Sequence, residues 1–400
     1  MQHDSEEHRL PDAKRRLAAL SAVRADLLDC VQSNLAVLAD HFHGRGTHLR
    51  LGSRLSSRWY PGADGLPTVD PPLAEQLVEA ERCLDLRVTG QKTVTGGDLP
   101  GAVQPGAPCY AVADAYEMPW LPYHRRRHMD HSFLLIAPDA ADDGWTVVDA
   151  YDNDTPWGAA RPGAWTLTAD QLAVLGEVEL FRIAPGPSGA GDGPRIRVEH
   201  VPMDDYLAAL HQGADREAVL HRLTGDAWLL ARSRTLHALF VADGAPDEET
   251  ARHLERWNQL VTHTYVAYRR VARGRPEPPG LVDRLAELLE ADRNVFPDTG
   301  KPAAPPTAAG LPGDAASDRV RVQVAEVVAA VLGGDPGSLG AGTDLRTVEG
   351  FTSFRMVDII ERLEAELGVE FDSDDLVPEN LRSVEGLCRV VRGAREPAEP

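Results

Sequence analysis

The sequence predicts an α+β protein in three parts, because strand patterns fill its first part and amphipathic helices fill the rest. The segments "SFLLIA", "GWTVVDAY" and "VELFRIA" are short apolar runs bounded by Gly, Pro or Asp, which is typical of strands. Two stretches rich in Pro, Gly and Ala, at 184–194 and 297–317, interrupt the chain. We therefore predict a mixed domain at 1–184, a helical domain at 195–296, a flexible linker at 297–317 and a helical bundle at 318–392.

The composition excludes several classes of protein. The 400 residues exceed one ordinary core, and 43% of them are hydrophobic, which suits globular domains. The net charge of −21 argues against non-specific binding of nucleic acid. The apolar runs are too short to span a membrane, and the charged N-terminus lacks the apolar core of a signal peptide. We expect a cytoplasmic protein with neither nucleic-acid nor membrane partners.

The four cysteines are widely spaced and form no CxxC motif. This pattern predicts reduced thiols and neither a disulfide framework nor a metal site. One of them, Cys30, lies near the start of the segment "LLDCVQSNLAVLADHFHG", whose Leu27, Val31, Leu35 and Leu38 recur at helical spacing. A helix N-terminus lowers the pKa of a thiol, so Cys30 is a candidate nucleophile. Its other interpretation is a small buried hydrophobic residue.

A cysteine nucleophile needs a base, and the base needs an acceptor that orients it. His131 opens one predicted strand, and Asp149 ends the next. If those strands pair as neighbours, the two side chains come together. His128 competes with His131 for the role of base, and Asp152 and Asp154 compete with Asp149. Cys83 and Cys109 lack such a context, so we interpret them as structural.

The segment 195–296 is predicted to be mostly helical. The stretch "EETARHLERWNQLVTHTYVAYRRVA" places Leu254, Trp257, Val261, Tyr265 and Tyr268 on one face. The stretch "PPGLVDRLAELLEADRNVF" begins with proline and has its own apolar stripe.

The segment 318–392 predicts a compact and acidic helical unit, with 15 Asp and Glu against 8 Arg. Its helices are "DRVRVQVAEVVAAVLG", "GFTSFRMVDIIERLEAELGVEF" and "SVEGLCRVV", the last with Cys388 on its buried face. With "TDL" before the loop and "DDLVPENLRSVEGL" after the second helix, this unit resembles an acyl or peptidyl carrier domain, a four-helix bundle. The resemblance implies that Ser353 carries a covalent 4'-phosphopantetheine arm, which holds an acyl group as a thioester.

One residue departs from the carrier pattern. The family usually has Asp before the serine, where this chain has Thr352. That aspartate normally helps the modifying enzyme to act. The plain interpretation of Ser353 is that it only caps its helix, a role that serine favours.

The stretches "DCVQSNLAVLADHFHG", "DAYEMPWLPYHRRRHMDHSFLLIA" and "GWTVVDAYDN" resemble the aminoacyltransferase family of butirosin biosynthesis. That family has a papain-like fold and moves an acyl group from a carrier thioester to an amine. The resemblance implies a catalytic triad of Cys30, His131 and Asp149, with 195–296 as the family's second domain. The backbone N–H of Cys30 is one oxyanion donor, and Gln32, Ser33 and Tyr123 are options for a second.

The combined prediction is a cysteine-dependent acyltransferase of specialised metabolism with a tethered carrier. Its partners would be a phosphopantetheinyl transferase, an enzyme that loads the acyl or aminoacyl group, and a small-molecule amine acceptor. The basic stretch Arg125 to Arg127 is a hypothetical docking site for the carrier. A thioesterase or amidase, a cyclase on the tethered chain, and a non-catalytic carrier scaffold remain alternatives.

Overall fold

The computed structural model describes most of the chain: residues 20, 23–105, 107–138, 144–186, 195–242, 246–298, 319–334, 336, 339, 343–348, 351–367, 371, 376 and 378–394. Most of the predicted linker at 297–317 and of the break at 184–194 lies outside these residues. All four cysteines lie within them and have free thiols. No helix in the described part is long and apolar enough to cross a bilayer.

An antiparallel sheet forms the centre of the N-terminal part. The described strands are β1 (Arg54–Ser56), β2 (Tyr60–Pro61), β3 (Pro67–Thr68), β4 (Leu86–Thr95), β5 (Cys109–Asp114), β6 (Asp130–Ile136), β7 (Trp145–Asp149), β8 (Asn153–Thr155), β9 (Gly158–Ala160), β10 (Gly163–Leu167), β11 (Glu177–Pro185) and β12 (Arg197–Glu199). Six of them form the sheet in the order β10-β7-β6-β5-β11-β4. The predicted pairing of β6 with β7 is confirmed, with Leu134 opposite Val148.

Helices surround this sheet and continue to the C-terminus. They are α1 (Cys30–His43), α2 (Leu73–Leu84), α3 (Leu99–Ala102), α4 (Ala169–Ala173), α5 (Asp204–Gln212), α6 (Arg216–Val241), α7 (Glu248–Ala272), α8 (Leu281–Val295), α9 (Arg319–Leu332), α10 (Ser353–Leu367), α11 (Pro378–Leu381) and α12 (Val384–Gly393). The mixed α+β class is therefore confirmed, with a helical bundle at the C-terminus.

Both faces of the sheet are buried. Alternate residues of a strand point to opposite faces, so Leu134 packs in the core that contains α1, while Phe133 packs in the core on the other side. Helix α1 is buried at every residue from Ser33 to Ala39. The helix predicted from the spacing is confirmed, and because this stretch is buried on every face, the polar residues within it must find partners inside the protein.

The helices of 195–296 pack together and also onto the N-terminal part. Leu254, Trp257 and Tyr265 on α7 are buried, as their spacing predicts. Strand β12 pairs in parallel with β1. Helix α6 lies against the turn Thr47–Ser53, where a Cβ on Gly52 would come within 2.6 Å of the Leu236 carbonyl oxygen. This close approach accounts for the glycine and brings α6 beside the start of α1.

The C-terminal bundle has a core of its own. Ile360 and Leu363 on α10 are buried in this core, and Cys388 is fully buried on α12, as predicted. Helix α10 also contacts strand β8, so the bundle lies close to the end of β7.

Candidate active site

Helix α1 begins at Cys30 because Asp29 caps it. The Asp29 carboxylate accepts a hydrogen bond from the Gln32 N–H at 2.7 Å, and the Gln32 side-chain oxygen accepts one from the Asp29 N–H at 3.3 Å. This reciprocal capping box fixes the first turn. Cys30 therefore lies at the helix start, where its N–H has no acceptor within the helix.

Two buried polar side chains tie Cys30 to strand β6. The Ser132 hydroxyl donates to the Cys30 carbonyl oxygen at 2.6 Å. The Asn34 amide donates to the Ser132 carbonyl oxygen at 2.9 Å and to the Cys30 carbonyl oxygen at 3.3 Å. Because Ser132 directly follows His131, these bonds hold the first turn of α1 beside the histidine.

His131 and Asp149 form a buried pair. His131 is fully buried, and its Nε2 lies 2.8 Å from Asp149 Oδ2. The same carboxylate accepts hydrogen bonds from Trp120 Nε1 at 3.1 Å and from the Tyr151 N–H at 3.0 Å. Burial alone would raise the pKa of Asp149, but the charge and hydrogen bond of His131 hold it below its usual value. Asp149 is therefore an ionised acceptor that orients the imidazole.

The other ring nitrogen of His131 is available. An ionised Asp149 requires Nε2 to carry the proton, so Nδ1 of the neutral ring is a proton acceptor. Among the described residues, this buried Nδ1 has no hydrogen-bond partner. It therefore makes no hydrogen bond with Cys30 Sγ, although the two residues lie on adjoining elements. The Tyr151 ring packs edge-on against the imidazole at 5.2 Å.

The environment of the Cys30 thiol differs from the sequence prediction. Burial raises its pKa well above the usual value, and the carboxylates of Asp29, Asp70 and Asp149 raise it further. Asp29 is itself buried, which raises its pKa to about 7. The pKa of Cys30 is therefore raised, whereas the helix N-terminus predicted a lowered pKa, and burial is the largest cause. The thiol is protonated and needs a base.

The competing residues lie in other contacts. His128 is exposed and pairs with Asp114 at 2.6 Å. Asp152 and Asp154 both accept hydrogen bonds from Arg161.

The other two cysteines of the N-terminal part are enclosed. Burial raises the pKa of Cys83 to about 12 and that of Cys109 to about 11. Both thiols are therefore inert at neutral pH, which agrees with a structural role.

Two of the three candidates for a second oxyanion donor make other hydrogen bonds at the start of α1. Gln32 uses its side-chain oxygen in the capping box, and the Ser33 hydroxyl donates to the Cys30 carbonyl oxygen. The Tyr123 hydroxyl lies 3.4 Å from that of Tyr151. Burial raises the pKa of Tyr123, which therefore keeps its hydroxyl proton. Tyr123 is the option that stays open.

Sequence reasoning missed four supporting residues: Asn34, Trp120, Ser132 and Arg232. Arg232 on α6 donates to the Leu28 carbonyl oxygen at 2.6 Å and to the Asp152 carbonyl oxygen at 3.0 Å. It thus bridges the residues before Cys30 and those after Asp149. Only Asn34 had a signal in the sequence, since it lies one helical turn after Cys30 on the same face.

At the C-terminal bundle, helix α10 begins at Ser353 and Thr352 caps it. The Thr352 hydroxyl accepts a hydrogen bond from the Arg355 N–H at 3.0 Å. The interpretation of Ser353 as only a cap is therefore wrong, because its neighbour fills that position.

Comparison with known proteins identifies this bundle. The family model described as "Phosphopantetheine attachment site" matches residues 322–391, which include Ser353. Comparison with curated proteins gives no match. The chain therefore contains a carrier domain with a phosphopantetheine attachment site, and that predicted cofactor is confirmed. Such a domain implies thioester-bound acyl groups, a phosphopantetheinyl transferase and loading partners. The match does not extend to the part that holds Cys30.

Proposed function

We propose that the chain is a papain-like aminoacyltransferase or acyltransferase that passes an acyl group from its carrier domain through Cys30 to an amine. The observation that carries the proposal is the buried His131–Asp149 pair, whose Nδ1 has no hydrogen-bond partner and whose neighbour Ser132 donates to the Cys30 carbonyl oxygen. The carrier domain supports it, because it supplies the thioester that such a site would consume. The product would be an amide in a specialised metabolite. The free thiols suit a cytoplasmic enzyme.

Attached to Ser353, phosphopantetheine would supply a terminal thiol that presents the acyl group as a thioester. His131 Nδ1 would take the proton of Cys30, whose sulfur would then attack the thioester carbonyl. As the new Sγ–C bond forms, the bond to the leaving sulfur breaks, and that sulfur takes the proton from His131. The Cys30 N–H and Tyr123 would stabilise the oxyanion.

The second half-reaction releases the acyl group from Cys30. The amine nitrogen attacks the acyl carbon, and its proton passes to His131 and then to Sγ as the Sγ–C bond breaks. Asp149 holds the ring in one tautomer throughout. The carboxylates around Cys30 would attract an acceptor that arrives as an ammonium ion and releases its extra proton to solvent before the neutral amine attacks, which supports an amine over water.

One observation favours a second route. The thiol has a raised pKa and makes no hydrogen bond with His131. In this route the acceptor amine attacks the carrier thioester directly, with His131 as its base, and Cys30 is dispensable.

Replacement of Cys30 separates the two routes. Cys30→Ala should reduce amide formation by at least about 10³-fold, since it removes the nucleophile, yet leave the carrier able to accept phosphopantetheine from coenzyme A. Cys109→Ala is the matched control and should keep full activity. Amide formation at the normal rate in Cys30→Ala, together with its loss in His131→Ala, would establish the direct route instead.

A further inference from the structure

Three arginines at the end of helix α7 contact the carrier domain. Arg269 Nη2 lies 3.2 Å from Asp358 Oδ1 and 3.4 Å from Glu361 Oε2. Arg273 pairs with the same Glu361, and Arg275 Nη1 lies 3.7 Å from Glu364 Oε2. We call Arg269, Arg273 and Arg275 the arginine surface. The three carboxylates that it contacts lie on α10, the helix that begins with Ser353.

The local backbone gathers this surface. Gly274 has φ +73°, a left-handed conformation that glycine adopts without strain. The Gly274 N–H donates to the Val271 carbonyl oxygen and the Arg275 N–H donates to the Arg270 carbonyl oxygen. This Schellman pattern turns the chain back on the helix end, so Arg273 and Arg275 stay close to Arg269. Cations at a helix C-terminus are also favoured by the helix dipole.

The ion pairs fix the direction of α10. The contacts follow the same order along both segments: Arg269 pairs with Asp358, Arg273 with Glu361 and Arg275 with Glu364. Ser353 precedes Asp358 by five residues, a rise of about 7.5 Å along a helix, and so lies beyond the Arg269 end of the contact. Helix α10 also contacts strand β8, which follows closely after Asp149.

We propose that the arginine surface is the docking site for the chain's own carrier domain, and that it turns the Ser353 end of α10 toward the Cys30 site. The carrier thereby delivers its acyl group within one molecule. The part of this proposal that concerns delivery rests on the proposed function, whereas the docking itself does not. Arg127, in the basic stretch where docking was hypothesised, contacts His221.

The contact is suited to repeated binding and release. Its side chains are partly exposed: 23% of the Arg269 side chain and 18% of the Glu361 side chain are accessible to solvent. Ion pairs that are exposed in this way are individually weak. A cavity of about 500 Å³ lies between Arg273 and Arg275 on one side and Val357 and Phe371 on the other. A loosely packed and salt-sensitive interface lets a carrier leave to be loaded and return.

Charge reversal and charge exchange test the docking in the full chain. The variants are Arg269→Glu with Arg273→Glu, Asp358→Arg with Glu361→Arg, and all four changes together. Small-angle X-ray scattering should show a larger radius of gyration for each reversal and the original value for the exchange. Glu366→Arg, an exposed reversal on the same helix, and Arg252→Glu, at the other end of α7, are matched controls that should stay compact.

Transfer measurements then connect docking with delivery. Each charge reversal should slow transfer from the loaded carrier about tenfold and leave turnover of a soluble acyl thioester unchanged. The four-residue charge exchange should restore the rate of transfer. Unchanged scattering after reversal, or failure of the exchange to restore it, would overturn the proposal. If no variant turned over the soluble thioester, the proposed function would fail, while the scattering would still decide whether the carrier docks here.

Discussion

Cys30 is surrounded by acceptors, which makes it an unusual site for a thiolate. Asp29, Asp70 and Asp149 all raise its pKa, and burial raises it most. In the proposed reaction the thiol would therefore have to lose its proton, and His131 Nδ1 is the candidate base. Asp29 adjusts this step, because its own pKa of about 7 means that its charge changes near neutral pH.

Asp29→Asn should make Cys30 more reactive. Asparagine keeps the helix cap but removes the negative charge, so the pKa of Cys30 should fall. Alkylation of Cys30 by iodoacetamide, followed by peptide mass spectrometry, should be about three to ten times faster at pH 8. At pH 5.5 Asp29 in the wild type is mostly protonated, so the difference between the two proteins should shrink.

The control for this change is Asp26→Asn, which removes an exposed carboxylate that pairs with Arg24. It should leave the alkylation rate of Cys30 unchanged. Equal rates for Asp29→Asn and the wild type at pH 8 would contradict the assigned role of Asp29.

The sequence predicted only some of the residues of the candidate active site. The nearness of His131 and Asp149 followed from two strand patterns joined by a short connection. The residues that support them did not, because Asn34 meets Ser132 across 98 positions and Arg232 meets Leu28 across 204. The raised pKa of Cys30 could not be predicted either, since its largest cause is burial, and Asp70 and Asp149 come near the thiol only in the tertiary structure.

At the scale of elements, each candidate functional side chain is the first residue of a helix, and each of these two helices has its own cap residue. Asp29 starts α1 before Cys30, and Thr352 starts α10 before Ser353. In both cases the cap is the preceding residue, so the candidate functional side chain is not needed to hold the helix. The sequence predicted both helices, but their caps could be assigned only from the hydrogen bonds.

Thr352→Val should loosen the start of α10. Valine has the shape of threonine but cannot accept the hydrogen bond from the Arg355 N–H, and loss of a cap costs about 1 kcal/mol. Hydrogen exchange in the peptide that begins α10 should be about fivefold faster in the full chain. Thr352→Ser keeps the hydroxyl and should exchange like the wild type. Equal protection in Thr352→Val would show that Thr352 does not cap the helix.

At the scale of the molecule, the chain joins a carrier domain to a buried candidate triad through the segment 297–317. A tether of about 20 residues holds a carrier at millimolar effective concentration, which favours reaction within one molecule. The composition of this segment predicts a linker, most of which lies outside the described residues, and the match to the family model supports the domain after it. The arginine surface was not predictable, because Arg269, Arg273 and Arg275 look like solvated helix residues until α10 lies against them.

The most direct test of the account follows the acyl group itself. Full-length protein would be loaded on Ser353 with an acyl-phosphopantetheine group and incubated without an amine acceptor. It would then be digested, and mass spectrometry would show which peptides carry the acyl group as a thioester. We predict that the acyl mass moves to the peptide that contains Cys30 in the wild type and stays on the Ser353 peptide in Cys30→Ala. An acyl group that never reaches Cys30, yet is released as an amide when the amine is added, would contradict transfer through this cysteine.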